Sequence, residues 1–175
     1  MSPRNRLVSR ALNDGGLATL LFDLLTEEEA ADPGNVFDIS FLGNRVLEAI
    51  EWSCTDTEVG QLPIGLFGAS TGAAAALVAA AKPSKDIAAV VSRGGRPDLA
   101  ANALPHVKAP TLLIVGGADY GVVELNEKAL ALLTCEKRLA IVPEATHLFD
   151  EPGTLEMVIE LARQWFETHL AGRRS

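Results

Sequence analysis

The sequence predicts an α/β fold of three layers, α/β/α, around a mostly parallel sheet of about five strands. Three observations lead there. Five short runs are apolar almost throughout rather than in alternation, as strands buried on both faces are. Helical periodicity fills the gaps between them, and strands joined by helical crossovers pair in parallel. Finally, Gly68-Ala69-Ser70-Thr71-Gly72 stands between an apolar run and an alanine-rich one, which reads as strand, sharp turn, helix.

Residues 3–12 read as a helix with Leu7, Val8, Ala11 and Leu12 on one face, stopped by Asn13-Asp14-Gly15-Gly16. Residues 17–25 are a nearly unbroken apolar run and are expected to be the first buried strand. Residues 27–35, acidic and carrying Pro33-Gly34, read as an exposed connection. Asp38 is placed to cap a helix whose Ile39, Leu42, Val46, Leu47 and Ile50 would lie against the sheet. Residues 62–67 are the second strand. The helix after the serine is built of small residues, Ala73 to Ala76 and Ala79 to Ala81, which let it approach the sheet closely; Lys82-Pro83-Ser84 ends it.

Residues 87–91 are the third strand, followed by a loop carrying Arg93, Arg96 and Asp98, and residues 100–107 are short and irregular. Residues 110–117 form the fourth strand, 122–133 a helix, 137–142 the fifth strand and 154–170 the last helix. That helix has an apolar face of Leu155, Val158, Leu161, Ala162, Trp165 and Phe166. No repeat or interdomain linker interrupts the pattern, so residues 1–175 are expected to be one domain without a cap domain.

Composition narrows the function classes. A net charge of -8 repels nucleic acid, and the basic residues gather only at Arg4, Arg6 and Arg173-Arg174. The longest apolar stretch is about half a bilayer span, and no apolar segment follows the N-terminal charges as in a signal peptide. Cys54 and Cys135 lack metal-ligand spacing and read as free thiols of a reducing compartment. The expected location is cytoplasmic, with neither nucleic acid nor membrane as partner.

In a parallel sheet, ligands bind beyond the carboxyl ends of the strands. Ser70, Asp119 and His147 each follow a different strand and should gather on that edge. A serine hydroxyl needs a base to take its proton, and the base needs an acid to fix its tautomer. Of three histidines only His147 follows a strand; His106 precedes one, and His169 sits at the end of the last helix. For the acid, Asp119 stands at the better-defined strand tip, with a helix cap as its ordinary alternative, and Asp98 is the runner-up. Arg93 and Arg96 share the edge. They are candidates for holding an anionic group of a substrate, the alternative being a solvated loop with Asp98 as local partner. No metal-ligand cluster or phosphate-binding glycine loop is present, so neither metal nor cofactor is expected.

The order Ser, Asp, His along the chain, with the serine in a Gly-x-Ser-x-Gly turn, resembles the α/β-hydrolase superfamily. Residues 2–6, 66–73, 91–99, 115–119 and 145–149 look like small dienelactone-hydrolase-like proteins, some of which are joined to a phosphoribosyltransferase domain. The resemblance implies a serine esterase acting on small carboxylic esters or lactones, with Ser70 as nucleophile, His147 as base, Asp119 as acid and the Thr71 N–H as an oxyanion donor. Dienelactone hydrolases proper use cysteine, and this chain has Ser70. In the family at least one strand precedes the first helix and its loop supplies the other oxyanion donor. This chain begins at about that helix, so the core is expected to be shortened at its N-terminus. That would leave a sheet edge unpaired and favour a homo-oligomer. A hydrolase-like module that binds without turnover is the rival expectation.

Overall fold

The computed structural model describes residues 2–83 and 86–171. Met1, Ser84 and the Arg173-Arg174 pair lie outside the described residues. The elements are α1 (Pro3–Asp14), α2 (Glu27–Ala30), α3 (Pro33–Phe37), α4 (Ile39–Thr55), β1 (Ile64–Ala69), α5 (Thr71–Ala80), β2 (Ile87–Arg93), β3 (Thr111–Gly116), α6 (Tyr120–Leu132), β4 (Lys137–Val142) and α7 (Thr154–Ala171). Two 3-10 turns follow β2: Pro97–Ala100 in the loop that carries Asp98, and Leu104–His106 within the stretch 100–107 expected to be irregular.

The four strands pair in parallel in the order β1-β2-β3-β4. Every residue of β2 and β3 is buried, which explains their unbroken apolar runs. One face is covered by α4, α5 and α6, which enclose Leu66, Val90 and Leu113. The other is covered by α1 and α7, which enclose Val91, Leu112, Ile114 and Val142. Adjacent residues thus serve opposite faces, as the period of two demands. The alanines of α5 are buried almost completely. At β4 the sheet edge carries exposed Lys137 and Arg138, charges that discourage further pairing.

Two expectations fail in the N-terminal third. Residues 17–25 are not a strand. They lead from α1 on one face towards α2–α4 on the other, and their side chains are divided accordingly. Leu17 packs with the α1/α7 cluster, Leu24 and Leu25 with the α4/α5 cluster, and Leu20 and Phe22 are exposed. A strand exists only through its ladder, and among the described residues no strand pairs with this run. The sheet therefore has four strands rather than about five. The acidic connection is also partly helical. Thr26 and Glu29 form a capping box, with Glu29 N donating to Thr26 Oγ1 at 3.2 Å and Thr26 N to Glu29 Oε2 at 2.9 Å. Asp38 caps α4 as expected, accepting from Phe41 N at 2.9 Å. No helix among the described residues is long and apolar enough to cross a membrane.

Candidate active site

Ser70 stands between β1 and α5 with φ 52° and ψ −124°. A side chain rarely adopts that left-handed backbone, and it persists only where the surroundings hold it. Here they do. Ser70 N donates to Arg93 O at 3.3 Å, and Ser70 O accepts from Ala73 N at 3.1 Å and from Arg96 N at 3.2 Å. The two flanking glycines are not equivalent. A Cβ at Gly68 would strike the Gly72 carbonyl oxygen and lie 2.6 Å from Ala73 Cα, whereas at Gly72 the nearest atom would be Leu24 Cδ1 at 3.9 Å. A Gly-x-Ser-x-Gly turn suggests crowding between the residues two before and two after the serine, and here a side chain would be crowded at Gly68 alone.

Asp119 follows β3. Its backbone carbonyl accepts from Val122 N and Val123 N at the start of α6, but its side chain does not cap that helix. The carboxylate instead meets the imidazole of His147, with Nδ1 and Asp119 Oδ2 2.7 Å apart. A carboxylate only accepts, so Nδ1 is the donor of this pair, and in the neutral imidazole Nε2 is then the acceptor. Asp119 is the more sheltered partner, its side chain 19% exposed against 39% for His147.

His147 lies on the loop after β4. Glu151 braces that loop, accepting from Thr146 N at 3.1 Å and from Thr146 Oγ1 at 2.6 Å. These bonds, the hydroxyl's above all, hold the Glu151 carboxyl below its ordinary range. Both Ser70 and His147 abut the turn that ends β2. Ser70 N is bonded to Arg93 O, and a Cβ at Gly94 would come within 3.8 Å of His147 Cε1. Among the described residues Ser70 Oγ makes no hydrogen bond to His147; unliganded sites often leave that bond unformed. Thr71 heads α5, where the first backbone N–H groups have no intrahelical acceptor.

The other candidates separate. Asp98 is engaged by Arg96 through two bonds of 2.8 Å, the local pairing that was the alternative for Arg96. Arg93 is only 8% exposed and its Nη1 has no hydrogen-bond partner. Burial, reinforced by nearby Arg4 and opposed by Asp150, pulls its guanidinium down to about 10, so it stays charged at neutral pH. His106 ends a 3-10 turn, and His169 packs on Trp165 with Glu136 3.6 Å away. Sequence reasoning missed Glu151, for which no local pattern exists. It also missed Asn126, a fully buried polar residue in the apolar stripe of α6.

A parallel sheet with a strained serine after β1, an acid after β3 and a histidine after β4 is the architecture of α/β hydrolases. Comparison with known proteins narrows this. The model of the dienelactone hydrolase family matches residues 18–167. The crystal structure of a dienelactone hydrolase from Anabaena variabilis has a TM-score of 0.91 and 54% identity, covering 97% of this chain and 80% of that one. The chain belongs to the dienelactone hydrolase family. It is also 57% identical, over 98% of its length, to Mycobacterium tuberculosis proteins provisionally named phosphoribosyl transferases, and spans 39% of their length. Est1E of Butyrivibrio proteoclasticus shares the fold at a TM-score of 0.80 and 16% identity, covering 97% of this chain and 83% of its own.

Proposed function

We propose that this chain is a serine hydrolase that cleaves small carboxylic esters or lactones through an acyl-enzyme on Ser70. The observation that carries the reading is the 2.7 Å contact between Asp119 and the Nδ1 of His147, with His147 and the strained serine both against the turn that ends β2. That contact holds the tautomer in which Nε2 accepts a proton. In the first half-reaction Ser70 Oγ attacks the carbonyl carbon and His147 Nε2 takes the hydroxyl proton. The Thr71 N–H donates to the oxyanion, and the leaving alkoxide departs with the proton from His147. In the second half, water gives its proton to His147 and attacks the acyl carbon; the Oγ–acyl bond then breaks, the carboxylic acid departs and Ser70 takes the proton back from His147. Asp119 supports the imidazolium each time. Arg93, buried and charged with one nitrogen unpartnered, is the better of the two arginines for an anionic substituent on the substrate. Arg96 already has Asp98.

One observation favours a second reading, a hydrolase-like module that binds without turnover: Ser70 Oγ is not bonded to His147 among the described residues. A fluorophosphonate probe separates the two. Labelling of the intact protein but not of Ser70→Ala is the expected result. Absence of labelling in both would replace the hydrolase with the binding module.

A further inference from the structure

One peptide plane ties the candidate nucleophile to a helix on the far side of the loop. Arg96 N donates to Ser70 O at 3.2 Å, and the carbonyl of the same peptide, Gly95 O, accepts from Asn126 Nδ2 at 3.1 Å. Asn126 is completely buried on α6, and its other amide hydrogen goes to Val122 O, one turn back, at 2.8 Å. Both donors are therefore spent on carbonyls. Rotating the amide would turn Oδ1 against two carbonyl oxygens, so the orientation is fixed by the network.

We infer that Asn126 is a positioning residue for Ser70, acting through the Gly95–Arg96 peptide; the inference rests on the hydrolase reading above. Ser70 has a backbone that must be held from outside, and its carbonyl has two holders, Ala73 N and Arg96 N. The first lies in its own helix. The second belongs to a loop of two glycines, Gly94 with φ +49° and Gly95, and glycine resists peptide rotation least. Gly95 is no free choice, because a Cβ there would meet Ser92 Oγ and lie 2.6 Å from Ala73 Cβ, at the start of the serine's helix. The loop is thus kept close to the elbow by having no side chain there, and a donor from elsewhere must stop the peptide from turning. Only a donor suits a carbonyl, which accounts for an asparagine in an otherwise apolar stripe. The same loop backs His147 through Gly94, so the plane sets the spacing of nucleophile and base.

The test uses Asn126→Leu and Asn126→Ala in the full chain, with folding checked by circular dichroism. Loss of the bond should speed amide exchange at Arg96 by about tenfold, with β3 amides unchanged. Turnover of p-nitrophenyl acetate should fall about a hundredfold in kcat, with KM within about twofold, because misplacement affects the reacting geometry rather than binding. Folded variants in which Arg96 stays protected overturn the inference. So does deprotection of Arg96 with unchanged kcat. Should both variants fail to fold, the side-chain amide of Asn126 in the unaltered protein decides: slow exchange supports the inference, and exchange at the rate of a free amide overturns it. Should the unaltered protein hydrolyse no ester and take no serine probe, the hydrolase reading fails, and the Arg96 exchange alone supports or overturns the hold on Ser70's backbone.

Discussion

β1 and residues 17–25 begin as equals in the sequence, two apolar runs of strand length, and end as opposites. β1 pairs along its length with β2, from Ile64 opposite Ile87 to Ala69 opposite Arg93, and delivers Ser70 at its tip. Residues 17–25 make no ladder among the described residues, and their side chains divide between two clusters and solvent. An apolar run states what a segment can bury, while the partner decides whether it becomes a strand. The difference also separates the part of the molecule that fixes the site from the part that connects layers.

That contrast can be broken by substitution. Leu113→Ala, at a fully buried β3 position, should cost about 2–5 kcal/mol of unfolding free energy in urea titrations. Leu20→Ser and Phe22→Ser, in the unpaired run, should each change it by roughly 0.5 kcal/mol or less. Equal costs would show that the run is as much a part of the core as the sheet. A sharper version lies within the elbow. Gly68→Ala should destabilise by about 1–3 kcal/mol, since its methyl meets backbone. Gly72→Ala, in open space on a helix, should be neutral or stabilise by about 0.5–1 kcal/mol. Comparable losses at both would restore the symmetric crowding that the motif alone suggests.

The smallest effect concerns the loop after β2. Hydrogen bonds from Arg96 hold the Asp98 carboxyl below its ordinary value of 3.8. A depressed carboxylate adds stability above its unfolded pKa, and that contribution is lost as pH falls through the lower folded value. The melting temperature of Asp98→Asn should therefore lie slightly below that of the unaltered protein near neutrality. The gap should close in acid below that ordinary value. A gap that widened in acid would contradict the pairing.

Much of this was legible in the sequence because it rests on local rules. The Gly-x-Ser-x-Gly turn, the alanine helix, the Asp38 cap and the apolar β2 and β3 each follow from neighbouring residues. The meeting of Asp119 with His147 followed from topology, because strand tips of a parallel sheet share an edge. What stayed hidden depends on distant partners. The first run needed a ladder that no local pattern specifies. Arg93 looked like a loop residue and proved to be buried at a strand end. Asn126 showed only as a polar letter in an apolar stripe, and its meaning lies in a carbonyl 31 residues away. Helix α2 is the exception, since Thr26 and Glu29 carry a capping signature that outweighs the acidic, loop-like composition around them.

Hydrolysis of p-nitrophenyl esters from acetate to decanoate, with Ser70→Ala in parallel, tests whether the strained serine, the histidine and its aspartate make a working nucleophile. Turnover should favour the short acyl chains and fall by at least about a thousandfold in Ser70→Ala. Rates for the unaltered protein no greater than those of Ser70→Ala on every ester would contradict a working nucleophile.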